Sequence, residues 1–374
     1  RGPGDAKPVA AAESSEPCER AGPVDDRSDR EPRHCAYGAL DLGTNNCRLL
    51  VARPSRRGFQ VIDAFSRIIR LGEGVSISGR LSDAAMERTL DALRVCASKL
   101  NRGRVTRYRL VATEACRIAS NAPAFLSRVR TETGLDIEIL SRESEARLAV
   151  SGCAALLDGN WDLALVFDIG GGSSELVWLD FSSACAGSVG GGSAGIQGCV
   201  AAWTSLPIGV VTLAERFGDR TAEACRFDDM VAYVQSHLAP FEAQHRFRER
   251  LAGARYHMLG TSGTVTTVAG IHLGLKRYDR SRVDGCWLSC EDVQSVTDHL
   301  IGLSYEERMA EPCVGKDRAD LVLAGCAILE AIQRQWPCQQ LRVADRGLRE
   351  GILTTLMSED GVYRSRPAAS GLRR

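Results

Sequence analysis

Two short segments combine an aspartate with glycines and small polar side chains, and each lies between two apolar runs. They are residues 41–46, with the sequence DLGTNN, and residues 168–175, with the sequence DIGGGSSE. The apolar flanks predict a strand, a tight turn and a second strand in both places. Glycine lets the backbone approach a ligand closely, and successive N–H groups in such turns form a concave anion site. One glycine-rich hairpin is more often an ordinary turn, but two of them can hold a phosphorylated substrate from both sides.

A third segment strengthens this interpretation. Residues 256–259 indicate a strand, residues 260–264 have the sequence GTSGT, and residues 265–271 indicate a helix. Small hydroxyl residues at a helix N-terminus suit phosphate, which meets free N–H groups and the positive end of the helix dipole. The alternative is a plain helix cap by Ser262 or Thr264. Three such turns in one chain favour phosphate chemistry.

The composition limits the class of protein. The chain has 374 residues, with 47 basic and 47 acidic side chains and no formal net charge, so it is long enough for two domains and has no overall field that attracts nucleic acid. No apolar run approaches the roughly 18 residues of a membrane span, and the N-terminus lacks the apolar region of a signal peptide. The 14 cysteines include no CxxC pair, and several stand in apolar stretches, as reduced thiols do. We therefore expect a cytoplasmic protein that binds neither nucleic acid nor a membrane.

The elements around the turns predict how the turns are positioned. Residues 1–35 contain almost no bulky apolar side chains, so we expect a disordered N-terminal extension. Domain I then covers 36–158 and domain II covers 159–345. Residues 346–374 form a C-terminal helix and tail, with the helix packing back on domain I. The glycine-rich stretch 187–198 is interpreted as a flexible hairpin tip or a surface insertion.

Apolar periodicity gives the elements within the domains. The strongest helix begins after Ser82, presents Met86, Leu90 and Leu93 on one face, and ends at Gly103. The other elements predicted for domain I are strands at 37–42, 47–53, 59–65, 68–71, 109–112 and 137–140, and helices at 114–119, 124–132 and 142–157. Those predicted for the rest of the chain, besides the strand and helix flanking the third turn, are strands at 163–168 and 341–344 and helices at 212–217, 227–247, 291–303, 320–335 and 349–357.

Two strand–turn–strand units that each open with Asp-x-Gly resemble the actin-like ATPase superfamily. Within it, the chain resembles the exopolyphosphatase / guanosine pentaphosphate phosphohydrolase (Ppx/GppA) family. The matching segments occur in the family's order at residues 39–46, 70–74, 111–117, 145–147, 168–175, 206–209, 260–264 and 345–351. The resemblance implies an α/β protein of the short two-domain form, in which two RNase-H-like domains flank an interdomain cleft.

The resemblance also implies catalytic and metal-binding residues. It places the catalytic glutamate at Glu145, with Glu143 as a neighbouring competitor; the alternative for Glu145 is an exposed first-turn residue that complements the helix dipole. Asp168 and Glu175 correspond to the metal-side carboxylates, and Asp41 is expected to hold the same ion through water. An oxygen-only site shared with substrate phosphates suits Mg²⁺, with Mn²⁺ as a substitute.

The turns provide the predicted phosphate cradle. Its residues are Thr44, Asn45 and Asn46 in the first turn, Gly171, Gly172, Ser173 and Ser174 in the second, and Gly263 and Thr264 in the third. Gly171 or Gly172 is expected to need a positive φ, or an approach to phosphate that leaves no room for a Cβ. The planar fork of Arg117 is expected to bind phosphate. Arg70 and Arg48 are weaker candidates, and Arg147 is assigned to bracing the catalytic glutamate.

The expected reaction is Mg²⁺-dependent hydrolysis of the terminal phosphoanhydride bond of inorganic polyphosphate, which releases orthophosphate. The nearest alternative is removal of the 5′-terminal phosphate of guanosine pentaphosphate, which uses the same chemistry. Two other classes stay open: an ATP-dependent kinase or chaperone, which needs an adenosine pocket, and a non-catalytic sensor of polyphosphate or alarmone. A homodimer is implied by the resemblance alone.

Overall fold

The computed structural model describes residues 35–55, 58–157, 160–181, 193–218 and 226–362. Residues 1–34 of the predicted N-terminal extension lie outside the described residues. So do positions 187–192 of the glycine-rich stretch and the tail from residue 363. Among the described residues, no helix has both the length and the apolar character needed to cross a membrane.

The first sheet has five strands. They are β1 Tyr37–Leu42, β2 Asn46–Ser55, β3 Gly58–Ile68, β4 Arg107–Ala112 and β5 Glu138–Ile139. Their order is β3-β2-β1-β4-β5, in which β1, β2 and β3 form an antiparallel meander while β4 and β5 continue parallel to β1. The first glycine-rich turn is therefore the tip of the β1–β2 hairpin.

The second sheet repeats this arrangement. Its strands are β6 Leu163–Ile169, β7 Ser174–Asp180, β8 Val200–Leu206, β9 Tyr256–Thr261, β10 Trp287–Ser289 and β11 Gln340–Ala344. Read from β8, the order is meander β8-β7-β6 followed by parallel β9 and β11, with β10 added antiparallel at the edge. Two mixed sheets with the same RNase-H-like order confirm the predicted α/β fold class.

Helices cover the faces of both sheets. They are α1 Val75–Ser78, α2 Asp83–Arg102, α3 Glu114–Ile118, α4 Ala122–Thr133, α5 Arg142–Cys153, α6 Ser193–Gln197, α7 Val210–Phe217, α8 Phe227–His245, α9 Phe247–Leu251, α10 Gly263–His272, α11 Arg280–Val283, α12 Cys290–Gly302, α13 Tyr305–Ala310, α14 Val322–Gln335 and α15 Leu348–Glu359. The predicted cap of α2 is present, because the Ser82 hydroxyl accepts a hydrogen bond from the Ala85 N–H at 3.2 Å. Its predicted apolar face is buried at Leu90 and Leu93.

The two helices α5 and α15 cross in close contact. A Cβ on Gly152 would lie 1.9 Å from the carbonyl oxygen of Gly347, and a Cβ on Gly351 would lie 2.0 Å from that of Leu148. Only glycine permits backbones to approach this closely. The apolar side of α15 packs against Tyr37 and its neighbours on the first sheet. This packing fixes the first turn of α5 beside the ends of β1 and β6.

The structure differs from the predicted elements in two main places. The strand predicted at 68–71 is absent, because β3 ends at Ile68 and the chain turns at Arg70, whose φ is 49°. Strand β8 was not predicted. In the structure, β8 pairs with β7 over most of the length of β8. Its sequence, VAAWTSL, has weak alternation, so its pairing partner rather than its own pattern determines it. The short elements α1, α6, α9, α11, α13 and β10 were not predicted either, although Ser304 and Glu307 form a capping box at the start of α13.

Candidate functional site

The first and second glycine-rich turns have the same local closure. The N–H of Gly43 donates to the carbonyl of Asn46 at 2.9 Å, and the N–H of Gly170 donates to that of Ser173 at 2.9 Å. Neither Gly171 nor Gly172 has a positive φ. The prediction that a positive φ explains one of these glycines is therefore wrong.

Steric contact with the opposite turn explains the glycines instead. A Cβ on Gly172 would lie 2.6 Å from the Thr44 hydroxyl and 3.1 Å from Cβ of Glu114. A Cβ on Gly171 would lie 3.0 Å from Cβ of Thr44 and 3.2 Å from the backbone nitrogen of Asn45. The two turns therefore touch across the cleft. Protein atoms occupy the space that a side chain at Gly171 or Gly172 would need.

Further contacts join the two halves beside the turns. Arg70 forms an ion pair with Asp320 at 2.8 Å, so this weaker phosphate candidate is already partnered. The carboxylate of Glu215 accepts hydrogen bonds from the Gly74 N–H at 2.7 Å and from the Ser76 hydroxyl at 2.6 Å. These contacts hold the cleft narrow on this side.

The turns enclose a cavity, called here the first cavity, with about 870 Å³ of empty space including its mouth. Its walls contain most of the predicted phosphate-binding residues, namely Thr44, Asn45, Asn46, Gly171, Gly172, Ser173, Gly263 and Thr264. Glu145 and Asp168 line it as well. Ser174 does not: it is fully buried in β7, and its hydroxyl donates to the carbonyl of Ile208 at 2.7 Å. The phosphate contact predicted for Ser174 uses its backbone N–H rather than this hydroxyl, and it stays a prediction.

Glu145 lies in the first turn of α5, which Ser141 caps. Its side chain is buried and accepts a hydrogen bond from Arg117 at 2.6 Å. Burial raises the pKa of Glu145 to about 7 against the opposing effect of Arg117, and the charges of Asp41 and Asp168 raise it further. A carboxyl group with a pKa near neutrality has the protonation equilibrium that a general base needs.

The competitor Glu143 has a different environment. Its side chain is half exposed and pairs with Arg147 one helical turn later, at 3.0 Å. The role predicted for Arg147 is therefore wrong, because it holds Glu143 rather than Glu145.

Arg117 is engaged by protein at all of its nitrogens. Nε donates to the carbonyl of Leu140 at 2.9 Å, Nη1 contacts Glu114, and Nη2 holds Glu145. It does not line the first cavity. The structure thus favours a positioning role over the predicted phosphate contact. Glu114, buried and bridging Arg117 to Arg142, was missed; its place in the matching segment 111–117 was the available signal.

Two other arginines face the first cavity. Arg48 and Arg318 line it, and neither has a carboxylate within ion-pair distance in the part of the chain that the structure describes. Arg318 donates to the Thr267 hydroxyl at 3.1 Å. Arg48, a weaker candidate on sequence grounds, is therefore better placed for phosphate than Arg117 or Arg70. Arg318 had no signal, since it lies between two helices far along the chain.

Two polar side chains on the cavity wall have buried atoms without a partner among the described residues. They are Oδ1 of Asn45 and the hydroxyl of Ser262. Ser262 also has φ 116° and ψ 174°, a conformation that costs energy in any residue but glycine. Unsatisfied buried groups and backbone strain both concentrate where a ligand binds.

The predicted metal ligands influence one another through their charges. Burial and the charge of Asp41 raise the pKa of Asp168 to about 6. The pKa of Glu175 is raised well above its usual range by burial and by the charges of Glu145 and Asp168, although the Ser205 hydroxyl donates to it at 2.8 Å. Burial also raises the pKa of Asp41, opposed by Arg48.

These carboxylates fit a cation that is shared with substrate. Across the described ranges, no group of three or more metal-binding side chains converges on one point. Mg²⁺ commonly takes only one or two carboxylates and completes its shell with water and substrate phosphates. A cation beside Asp168 would relieve the repulsion that raises these pKa values.

Comparisons with known proteins agree with this geometry. The family model of the Ppx/GppA phosphatase family matches residues 50–360. A solved Ppx/GppA family member from Aquifex aeolicus is 28% identical, with a TM-score of 0.69, and the alignment covers 87% of this chain and 98% of that one. An exopolyphosphatase-like protein of known structure is 29% identical, with a TM-score of 0.73 and coverage of 86% and 97%.

An exopolyphosphatase from Cytophaga hutchinsonii, 22% identical with a TM-score of 0.70 and coverage of 87% and 98%, shares the fold. The family match begins after the first turn, yet the structure sets that turn directly against the second one. The chain belongs to the Ppx/GppA phosphatase family and is a hydrolase that acts on phosphate compounds.

Proposed function

We propose that this protein is an exopolyphosphatase, which hydrolyses the terminal phosphoanhydride bond of inorganic polyphosphate and releases orthophosphate. One observation carries the proposal. A buried glutamate with a pKa of about 7 lines a cavity that two glycine-rich turns and two unpaired arginines enclose. General base, phosphate cradle and positive charge are the parts that phosphoryl transfer to water requires.

Glu145 is the base in this proposal. Its carboxylate takes a proton from water as the water oxygen attacks the terminal phosphorus, and the bond from phosphorus to the bridging oxygen breaks. The shortened chain leaves with the electron pair of that bond. Arg117 holds the Glu145 carboxylate in place through its hydrogen bond of 2.6 Å, because an oriented base loses less entropy on reaching the transition state.

The cradle holds the terminal phosphate. Backbone N–H groups of the second turn and of the α10 N-terminus carry partial positive charge towards the first cavity. Arg48 and Arg318 add full charges, and their planar forks suit phosphate oxygens. The partnerless hydroxyl of Ser262 and amide oxygen of Asn45 offer further hydrogen bonds.

Mg²⁺ is the proposed cofactor, with Mn²⁺ as a substitute. Asp168 would hold it from the cavity wall, with Glu175 and Asp41 close enough to influence it electrostatically. When bound, such an ion would neutralise negative charge on the phosphate oxygens.

Guanosine pentaphosphate is the second candidate substrate. The same residues would remove its 5′-terminal phosphate, since it carries the same kind of anhydride bond. An observation in its favour is that the cleft continues past Ser262 into further empty space, which leaves room for a nucleoside.

A phosphate-release panel tests the proposal. The substrates are long-chain polyphosphate, tripolyphosphate, guanosine pentaphosphate, ATP and p-nitrophenyl phosphate, each with Mg²⁺. We expect release from polyphosphate or guanosine pentaphosphate and little from p-nitrophenyl phosphate, and Glu145→Gln should lose this activity while Glu143→Gln keeps it.

The rival classes give other outcomes. Preference for ATP would indicate an ATP-dependent kinase or chaperone. Tight polyphosphate binding without any phosphate release would indicate a sensor. Either result would overturn the proposed function.

A further inference from the structure

Glu114 is a buried carboxylate that the proposed reaction does not use directly. It is the first residue of α3, the short helix that follows β4. Its side chain is 3% exposed, and it does not line the first cavity. Burying a carboxylate costs free energy unless charged partners compensate it. The partners of Glu114 therefore indicate what its burial provides.

Two arginines compensate Glu114, one at each carboxylate oxygen. Oε2 contacts Nη1 of Arg117, and Oε1 accepts a hydrogen bond from Nη2 of Arg142 at 2.5 Å. Both contacts join charged groups, which makes them stronger than hydrogen bonds between neutral groups. Both oxygens of Glu114 are thus engaged by protein.

Arg117 connects Glu114 to the proposed base. Its Nη2 donates to Glu145 at 2.6 Å, and its Nε donates to the carbonyl of Leu140 at 2.9 Å. Contacts at all three nitrogens fix the plane of the guanidinium group, because the fork is rigid. Burial acts to lower the pKa of Arg117, but the hydrogen bonds and charges of Glu145 and Glu114 outweigh it and raise that pKa. Arg117 is therefore a charged bridge of fixed orientation.

Arg142 connects Glu114 to the helix that carries the base. It is the first residue of α5, and Glu145 lies in the same helical turn. The helix dipole disfavours a positive side chain at this end. The ion pair with Glu114 offsets that cost. Glu114 thus holds the start of α5 as well as the arginine that contacts the base.

The stem of Glu114 also lies against the second glycine-rich turn. A Cβ on Gly172 would be 3.1 Å from both Cβ and Cγ of Glu114. The same side chain therefore packs beside the predicted phosphate cradle and reaches, through its carboxylate, the arginine of the base.

We propose that Glu114 is a positioning residue, which fixes the guanidinium of Arg117 and the first turn of α5 and so holds the Glu145 carboxylate where it can take a proton from water. The inference rests on the proposed function, because it takes Glu145 as the base. Glu114 itself contacts neither substrate nor reacting atoms. Its effect on turnover is transmitted through Glu145, whereas a purely structural ion pair would act on the fold as a whole.

Steady-state kinetics tests this role, with whichever substrate of the phosphate-release panel is hydrolysed. Glu114→Gln keeps the size of the side chain and removes its charge, while Glu114→Asp keeps the charge and shortens the stem. The matched control is Glu138→Gln. Glu138 is an exposed glutamate of the same sheet, paired with Arg109 at 2.5 Å, and neither of these two residues lines the first cavity.

We expect Glu114→Gln to lower kcat about 10- to 100-fold while KM stays within about twofold, since it weakens hydrogen bonds between charged groups and leaves the cradle in place. Glu114→Asp should recover part of the loss, because its shorter carboxylate keeps the charge but does not span both arginines. Glu138→Gln should behave as wild type. An unchanged kcat in Glu114→Gln, or a loss confined to KM, would refute the inference.

A double-mutant cycle separates positioning from general damage to the fold. Glu114→Gln is introduced into Glu145→Gln, which lacks the base and keeps the cradle. If Glu114 acts through Glu145, the added substitution should barely change the residual kcat, because no base remains to be positioned. Equal losses in the two backgrounds would show that Glu114 acts on the fold as a whole, and would overturn the inference.

A second variant controls for folding. Glu114→Gln leaves Arg117 and Arg142 with the single carboxylate of Glu145, and uncompensated charge can impair folding. Glu114→Gln combined with Arg142→Gln removes one charge of each sign. Nη1 of Arg117 still lacks a charged partner in this variant, so kcat should stay about 10- to 100-fold low at a wild-type melting temperature. Wild-type kcat in the folded double variant would contradict the proposed role.

Crystal structures give a readout that does not depend on activity. In Glu114→Gln the distance between Nη2 of Arg117 and the Glu145 carboxylate should exceed about 3.5 Å, too long for a hydrogen bond, while wild type keeps the contact. If wild type hydrolyses no compound of the panel, the proposed function fails, and this displacement still supports the positioning of Glu145 by Glu114. Hydrolysis by wild type together with an unmoved Arg117 in the variant would refute the inference alone.

Discussion

Replacing Glu145 with glutamine should change activity and stability in opposite directions. Glutamine keeps the size and the oxygen that accepts the hydrogen bond from Arg117, but it cannot take a proton from water. We expect kcat to fall about 10²- to 10⁴-fold, the usual contribution of a general base. Affinity for polyphosphate should be largely kept, because the cradle is untouched.

The stability effect follows from the raised pKa. Folding raises the pKa of Glu145 from 4.5 to about 7, so its protonated form is favoured in the folded protein. The wild-type protein has this stabilisation in full below the unfolded pKa and loses it as the pH rises through the folded pKa. The glutamine variant loses no unfolding free energy at this position as the pH rises, since its side chain has no proton to release. The advantage of the variant in unfolding free energy should therefore grow from about 1 kcal/mol near pH 5 to about 3 kcal/mol near pH 8.

Thermal melting in EDTA measures this difference without a cation that would favour the charged form. With about 2.1 cal/mol/K of unfolding entropy per residue, the expected gain in Tm is roughly 1 °C near pH 5 and roughly 4 °C near pH 8. The control is Glu143→Gln, whose parent side chain is half exposed and paired only with Arg147, so its Tm and turnover should barely change. A Glu145→Gln variant with an unchanged or lower Tm at the higher pH would refute the burial argument, and retained turnover would refute the choice of base.

Three further predictions concern the metal, the glycine contact and the contacts across the cleft. EDTA should abolish phosphate release and Mg²⁺ should restore it, and Asp168→Asn should raise the Mg²⁺ concentration for half-maximal activity because it removes the carboxylate on the cavity wall; full turnover without metal would contradict this. Gly172→Val should weaken polyphosphate binding in a filter assay far more than Ser173→Ala, because its side chain would collide with Thr44, where even a Cβ would lie 2.6 Å from the hydroxyl. Circular dichroism checks the fold, and wild-type affinity in a folded Gly172→Val variant would show that this contact does not shape the site. Glu215→Gln should raise KM about 2- to 10-fold, because it weakens two hydrogen bonds that hold the cleft narrow; steady-state kinetics with an unchanged KM would show that these contacts do not govern substrate binding.

Local patterns in the sequence were sufficient for the elements that carry the turns. The hairpins on either side of the first two turns, and the long helix α2 with its Ser82 cap, occur as predicted. Each of these features is encoded within a few consecutive residues, because strand alternation, glycine turns and helix caps are local interactions. Resemblance to a family, rather than local pattern, selected Glu145 over Glu143, and the structure places Glu145 on the wall of the first cavity.

Pairings between distant residues were not readable in the sequence. Arg117 has the side-chain type and the sequence position expected of a phosphate ligand. Its nitrogens, however, are occupied by Leu140, Glu114 and Glu145. Arg70 is likewise occupied by Asp320, 250 positions away. An arginine remains available for a ligand only if the fold brings no carboxylate within reach of it. The carboxylates come from segments that are distant in the sequence, and local patterns do not predict which distant segments meet.

The sequence by itself thus determined the two glycine-rich hairpins, the α/β class and the residue types available for phosphate chemistry. Only the tertiary structure decided how they are used. It set Gly171 and Gly172 against Thr44, and left Arg48 and Arg318 unpaired on the cavity wall. The physical reason is that turn and strand formation depend on neighbours in the chain, whereas burial, charge pairing and steric contact depend on neighbours in space.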